Sequence, residues 1–216
     1  MKKRTYVLLL ILFFVFVGAF AAVHFLSLPL RSVAVTLPVL YLSIITFIFA
    51  KGPAVWLPIG LFLSAAGDFM GGQGEFIMQL SFFALAHISY MIYFFRGGWL
   101  RPLSIWLSLM LIAVVVAFCF WFVPDITNST EKIFVIIYAV LITLMGVSAM
   151  FWKGPGKWTY ITGALLFIVS DGVIAWSRFV SPFIMSGVVV MTTYYSAQFL
   201  FAATFLHGYI RRGLFD

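Results

Sequence analysis

Apolar residues run along almost the whole chain, and short polar segments interrupt them at regular intervals. A membrane-spanning helix needs about 20 mostly apolar residues to cross roughly 30 Å of hydrocarbon. The pattern predicts eight spans, broken by charges, glycine and proline: Tyr6–Leu26, Ser32–Ala50, Ala54–Met70, Phe76–Phe95, Pro102–Val123, Lys132–Trp152, Trp158–Arg178 and Phe183–Ile210. We therefore expect an all-α membrane protein, with residues 1–216 forming a single eight-helix transmembrane domain.

The composition supports this interpretation. Hydrophobic residues make up 64% of the chain and charged residues only 9%, whereas a soluble protein is roughly half apolar and about a quarter charged. A soluble enzyme, a disordered chain and a fibrous repeat are thereby excluded. The net charge of +7 would suggest nucleic acid in a soluble domain. In this chain the positive charges are expected to flank the spans, so we expect membrane lipids and no nucleic acid as partners.

Lysine and arginine flanking the spans indicate how the bundle is oriented, because such residues stay on the cytoplasmic side. With the N-terminus inside, the cytoplasmic side collects Lys2, Lys3, Arg4, Lys51, Arg96, Arg101, Lys153, Lys157, Arg211 and Arg212. The opposite side collects only Arg31, Lys132 and Arg178. Both termini are therefore predicted to be cytoplasmic, and the compact chain suggests a bacterial inner membrane.

The N-terminus also allows a second interpretation. Met1–Arg4, the following apolar run and Ala19-Phe20-Ala21 are similar to a signal peptide with a small-residue cleavage site. Cleavage would remove residues 1–21. The apolar stretch continues to Leu26, which is longer than a usual signal core and favours a retained helix.

The chain contains an internal repeat. Lys51-Gly52-Pro53 recurs as Lys153-Gly154-Pro155 at an offset of 102 residues. Trp56 and Trp158 share that offset, whereas Gly60 and Gly163, like Asp68 and Asp171, are 103 apart. Self-similarity at a fixed offset is typical of duplicated architectures. We expect two four-helix parallel repeats, about 1–101 and 102–216, with Asp68 and Asp171 at similar depth.

Asp68 and Asp171 are the only acids inside the apolar segments. A charge at the bilayer centre costs about 3 kcal/mol on insertion scales, so such residues face the bundle interior and are functional candidates. Desolvation and mutual repulsion disfavour a doubly ionised pair. We expect one protonated acid and one carboxylate, which suits general acid/base hydrolysis and equally suits proton-coupled transport. A purely structural role, in which the acids only join helices, is a third interpretation.

A few other polar residues lie within the predicted spans. His87 and Tyr90 share a face of the fourth predicted helix, and Tyr194, Tyr195 and Gln198 form a polar stripe on the eighth. They are expected to orient the aspartates or to hold a phosphate-bearing head group. His87 with two carboxylates could form a metal site. No second histidine lies at a suitable depth, so we expect no metal and no other cofactor.

Four short motifs resemble the YhhN-like lysoplasmalogenase family of integral membrane hydrolases. They are Gly67-Asp68, Ala86-His87-x-x-Tyr90, Ser170-Asp171 and Tyr194-Tyr195-x-Ala197-Gln198, in this order and spacing. The resemblance covers nearly the whole chain, including the number of spans. Each motif is short, and their combination carries the specificity.

The resemblance implies an ether hydrolase. It would cleave the vinyl-ether bond of alkenyl lysophospholipids, giving a fatty aldehyde and glycerophosphocholine or glycerophosphoethanolamine. The resemblance also implies that Asp68 and Asp171 form the catalytic pair. A proton-coupled transporter or lipid carrier remains the alternative from another class, because parallel repeats and paired acids at one depth also occur in transporters.

Overall fold

The computed structural model describes residues 3–25, 30–96 and 102–211. Within these ranges the chain is all helical, without strands, and every helix bound lies within three residues of its predicted position. The helices are α1 (Lys3–Phe25), α2 (Arg31–Phe49), α3 (Trp56–Gly72), α4 (Phe76–Phe95), α5 (Pro102–Phe122), α6 (Ser129–Phe151), α7 (Lys157–Phe179) and α8 (Ser186–Arg211). The described ranges leave out four parts of the predictions above: Met1 and Lys2, the predicted span end Leu26, and the basic residues Arg101 and Arg212.

Seven of these helices are long and apolar enough to cross a membrane, namely α2 to α8. In α1 the qualifying apolar stretch is shorter and covers Leu10–Ala22. The described residues therefore form an all-α membrane protein with seven candidate spans. The predicted eighth span remains a prediction.

Local sequence explains where several helices begin and end. Asn128 caps α6, because its side-chain oxygen accepts hydrogen bonds from the backbone N–H groups of Thr130 at 2.9 Å and Glu131 at 3.2 Å. Gly74, with a φ of 84°, supplies the left-handed residue in the turn from α3 to α4. That tight turn keeps α3 and α4 antiparallel neighbours and brings Asp68 close to α4.

Six helices pack in a ring. Around the ring the neighbouring pairs are α2–α3, α3–α4, α4–α6, α6–α7, α7–α8 and α8–α2. Helix α1 packs on α2, and its Phe13 ring stacks on Phe199 of α8 with the centroids 5.3 Å apart. Helix α5 packs on α6 and more weakly on α7. The long polar side chains of α3, α4, α6, α7 and α8 meet inside this ring.

Two glycines let aromatic rings pack directly on the helix backbone. A Cβ at Gly60 of α3 would lie 2.4 Å from the Tyr90 ring of α4, and a Cβ at Gly163 of α7 would lie 2.7 Å from the Phe201 ring of α8. Such distances are too short for any side chain, so both positions require glycine unless the rings shift. The two glycines thus fix the α3–α4 and α7–α8 contacts in the same way.

Candidate active site

Asp68 lies in the last turns of α3 and is enclosed by the bundle, with 6% of its surface exposed. The Tyr194 hydroxyl of α8 donates a hydrogen bond of 2.8 Å to its Oδ2 atom. A buried carboxyl group needs such a partner to offset its lost hydration. The sequence-based prediction that this residue faces the interior is confirmed.

A second polar network lies next to Asp68. The Tyr90 hydroxyl donates to Oε1 of Gln198 at 2.8 Å and lies 3.2 Å from the Ser64 hydroxyl. Ser64 is one turn before Asp68 on α3, and Gln198 is one turn after Tyr194 on α8. Nε2 of Gln198 is buried without a hydrogen-bond partner among the described residues. The network joins α3, α4 and α8 around the Asp68 side chain.

Asp171 of α7 has a different set of partners. The Tyr138 hydroxyl of α6 donates a hydrogen bond to its Oδ2 atom. Nε2 of His87, on α4, lies 2.8 Å from the Tyr138 oxygen and 3.8 Å from Oδ2 of Asp171. Because the Tyr138 proton points to Asp171, the His87 Nε2–H donates to the tyrosine oxygen. Nδ1 of His87 is buried and has no partner among the described residues.

Phe167 contacts both polar clusters. Its ring centroid lies 4.8 Å from that of His87 and 5.3 Å from that of Tyr194, in edge-to-face geometry. No hydrogen bond joins the two carboxyl groups within the described ranges. The two aspartates therefore belong to neighbouring clusters that share the Phe167 ring, and each is held by its own tyrosine.

The two carboxyl groups differ in their access to open space. Asp171, with 11% of its side chain exposed, lines a cleft of about 390 Å³ between α5, α6 and α7. The other residues lining this cleft include Phe118, Cys119, Ile142, Gly172 and Trp176. Asp171 also lines a small cavity of about 40 Å³ near the α4 and α7 ends. Asp68 lines neither of these spaces, so Asp171 is the carboxyl group that a lipid chain can reach.

The structure brings together four of the five predicted supporting residues, namely His87, Tyr90, Tyr194 and Gln198. Tyr195 is directed elsewhere, because its hydroxyl donates to the Val35 carbonyl of α2 at 2.9 Å. Sequence reasoning missed Tyr138, which contacts Asp171 directly. It is the one polar aromatic side chain of α6, and that signal could have identified it. Across the described part of the chain, no cluster of three or more His, Cys, Asp or Glu residues could hold a metal ion.

A known protein family and several named proteins match this chain. A profile of the YhhN family matches residues 30–205, which include both aspartates. The chain is 34% identical over 167 residues to the protein named Lysoplasmalogenase TMEM86A of Bos taurus, covering 72% of this chain and 67% of the relative. It is 31% identical over 166 residues to the protein named Lysoplasmalogenase of Mycobacterium bovis, covering 71% and 61% respectively. No solved structure matches the chain.

Proposed function

The chain belongs to the YhhN family, and we propose that it is a lysoplasmalogenase, an ether hydrolase of alkenyl lysophospholipids. It cleaves the vinyl-ether bond to give a fatty aldehyde and glycerophosphocholine or glycerophosphoethanolamine. The observation that carries the proposal is the pair of carboxyl groups inside the bundle, held by Tyr194 and Tyr138 in two clusters that share the Phe167 ring, in a chain whose relatives are named lysoplasmalogenases. Such a pair supplies the acid/base chemistry that hydrolysis of a vinyl ether needs.

The reaction begins with a proton transfer to carbon. A protonated carboxyl group donates its proton to the outer alkene carbon, and the double-bond electrons form the new C–H bond. The remaining carbon shares its positive charge with the ether oxygen as an oxocarbenium ion. Water adds to that carbon and loses a proton, and the hemiacetal collapses to aldehyde and alcohol. Each proton taken from the enzyme is thereby returned.

Their surroundings suggest different roles for the two aspartates. The acid must touch the alkene, so we assign proton delivery to Asp171, which lines the cleft. Once deprotonated, the same carboxylate can accept the proton of the attacking water. Asp68 does not line the cleft, so we propose that it acts without touching the substrate, as the second acid of a pair that holds a single proton. Tyr138 and Tyr194 hold the two carboxyl groups in place.

The cleft between α5, α6 and α7 suits the hydrocarbon chain of the substrate. That chain is bonded directly to the reacting alkene carbon, so it must occupy the space next to Asp171. The walls of the cleft are almost entirely apolar, with Phe118, Ile142 and Trp176 among them. An alkenyl chain that moves from the bilayer into this cleft exchanges van der Waals contacts with lipid for similar contacts with protein, so the move costs little free energy.

Product analysis tests this function. Purified protein is incubated with 1-alkenyl-glycerophosphoethanolamine, and aldehyde release is measured for wild type, Asp171→Asn, Asp68→Asn and, as a control, the loop variant Glu75→Gln. We expect the two aspartate variants to lose most of the activity and Glu75→Gln to keep it. An ester-linked lysophospholipid should not be cleaved, because it has no alkene to protonate. Wild-type rates in both aspartate variants, or flux of unchanged lipid across proteoliposomes without aldehyde, would refute the mechanism.

The membrane arrangement is part of the same proposal. We place α1 as an eighth span, with both termini in the cytoplasm of a bacterial cell and the protein in its inner membrane. Two parallel repeats, about 1–101 and 102–216, are supported by the ring, in which the order α2–α3–α4 is followed by α6–α7–α8. Reporter proteins fused to the two termini test the number of membrane spans. Eight spans put both reporters on one side, whereas seven spans put them on opposite sides.

A further inference from the structure

Two contacts connect α6 and α7 at matching positions. Near the end of α7, Nη2 of Arg178 donates to Oε1 of Glu131 at 2.9 Å. Seven residues earlier on α7, Asp171 accepts the hydrogen bond from Tyr138, which is seven residues later on α6. Seven residues make about two helical turns, or roughly 10 Å, and return to the same face of a helix. Arg178 and Asp171 therefore lie on one face of α7, about two turns apart.

A polar cavity of about 310 Å³ surrounds Arg178. Its charged and amide side chains are Asp125, Asn128, Glu131 and Arg178. This lining differs from that of the cleft beside Asp171, which is almost entirely apolar. The cavity holds one positive side chain and two negative ones. It is therefore suited to a ligand that carries both signs of charge.

The polar cavity and the site at Asp171 share a wall. Phe179 lines the polar cavity, and it also lines the small cavity of about 40 Å³ beside Asp171. Phe76 lines the small cavity as well, and the guanidinium carbon of Arg178 lies 3.8 Å from the centre of its ring. This cation–π contact fixes the guanidinium group at the edge of the small cavity. A molecule extending from Asp171 along the α7 face reaches Arg178 next.

The distance from the reacting carbon to the phosphate of the substrate matches the distance from Asp171 to Arg178. In an alkenyl lysophospholipid the phosphorus lies about seven bonds from the outer alkene carbon, roughly 9 Å when extended. That length agrees with the two turns between Asp171 and Arg178. In the interior cluster the hydroxyl groups of Tyr90, Tyr138 and Tyr194 are already bonded to protein partners, so they are not free to bind the phosphate.

Resting on the proposed function, we propose that this polar cavity binds the zwitterionic head group of the substrate. Arg178 binds the phosphate, since a guanidinium group can donate to Glu131 and to a phosphate oxygen together. Glu131 and Asp125 face the ammonium group of the ethanolamine or choline. The head group thus sets the register that brings the vinyl ether to Asp171.

Paired substrates with and without the head group test this assignment. The rates kcat/KM are measured for 1-alkenyl-glycerophosphoethanolamine and for 1-alkenylglycerol, in wild type and in Arg178→Gln. We divide kcat/KM for 1-alkenyl-glycerophosphoethanolamine by kcat/KM for 1-alkenylglycerol. This ratio should fall about 10- to 100-fold in Arg178→Gln, as expected for the loss of a hydrogen bond to a charged group. Most of the change should appear in KM. Arg178→Lys should recover part of the ratio, because it keeps the charge and loses the planar fork.

Lys132→Gln is the matched control, because it removes a positive charge next to Glu131 from a residue that does not line the cavity. It should leave the ratio unchanged. Equal losses on both substrates in Arg178→Gln, or no loss on either, would overturn the head-group site. Folding of each variant is checked by its thermal unfolding in detergent.

A binding measurement separates this inference from the proposed reaction. The saturated 1-alkyl ether analogues cannot be cleaved, and their Kd values follow from tryptophan fluorescence, since Trp176 lines the cleft. Arg178→Gln should raise the Kd of the alkyl lysophosphoethanolamine much more than that of the alkylglycerol. If wild type binds in this way but releases no aldehyde, the hydrolase proposal fails and the head-group site stands. If the two Kd values change alike, the head-group site fails.

Discussion

The Tyr138 hydroxyl donates a hydrogen bond to Oδ2 of Asp171, and the same oxygen atom of Tyr138 accepts one from His87. Three helices, α4, α6 and α7, therefore meet at one carboxyl group. Oδ1 of Asp171 is left as the atom available to a substrate. The geometry of this carboxyl group depends on a residue that belongs to no recognised motif.

Removing that hydroxyl should impair catalysis more than folding. We expect Tyr138→Phe to lower kcat about 10- to 100-fold, because the Asp171 carboxyl group loses the hydrogen bond that orients it. Aldehyde release measures the rate. Tyr160→Phe is the matched control, since it also removes a buried tyrosine hydroxyl, one that is bonded to Tyr93 at 2.9 Å. Equal losses of activity in the two variants would contradict an orienting role for Tyr138.

The bond from Tyr194 to Asp68 should matter chiefly for stability. In Tyr194→Phe the buried Asp68 carboxyl group loses its partner, so we expect the free energy of unfolding to fall by about 1–3 kcal/mol. Thermal unfolding in detergent measures the change.

A double-mutant cycle with Asp68→Ala isolates this contact, since an asparagine oxygen could still accept the bond from Tyr194. The two changes should be less than additive, because either one breaks the same hydrogen bond. Additive losses would show that Tyr194 stabilises the bundle through its ring alone.

Cys119 provides a native probe of the cleft, because it is the single cysteine of the chain and lines the same space as Asp171. An alkyl methanethiosulfonate should add a hydrocarbon chain at Cys119 and block hydrolysis. Bound 1-alkyl lysophospholipid should slow the modification.

Cys119→Ala serves as the control for this experiment. It should keep its activity and become insensitive to the reagent. Full activity of the labelled wild-type protein would show that the lipid chain binds elsewhere.

The glycine contacts predict a steric effect on folding. Gly60→Ala and Gly163→Ala should each lower the thermal unfolding temperature, because the new methyl group meets the ring of Tyr90 or Phe201. Gly18→Ala in α1 is the control, since nothing lies within 4 Å of its added Cβ. A Gly60→Ala protein as stable as wild type would mean that the Tyr90 ring shifts freely. In that case its bond to Gln198 should weaken, and activity should fall instead.

Most of the fold could be predicted from the sequence, because apolar length and interrupting charges define a membrane helix with little competition. Asp68 and Asp171 were found for the same reason, as acids in apolar segments. Tyr138 was missed because its role arises from the packing of α6 between α4 and α7. As the one polar aromatic residue of α6 it could have been singled out, but only the packing shows which group it contacts.

The surroundings of single side chains were harder to predict. Tyr194 and Tyr195 are adjacent in the sequence, yet one bonds to Asp68 and the other to the α2 backbone. Adjacent residues on a helix point in different directions, and only the neighbouring helices decide which one meets the site. Arg178 likewise looked like an orientation signal, whereas its relation to Asp171 depends on the pairing of α6 with α7.

The small cavity beside Asp171 also bears on which lipids react. Its volume of about 40 Å³ is close to that of one water molecule. On the proposed path from Asp171 to Arg178 the glycerol passes this cavity, which leaves little room for an acyl group on its central carbon. We therefore expect the two-chain ether lipid to react more slowly than its lysolipid, so that a deacylation would have to come first.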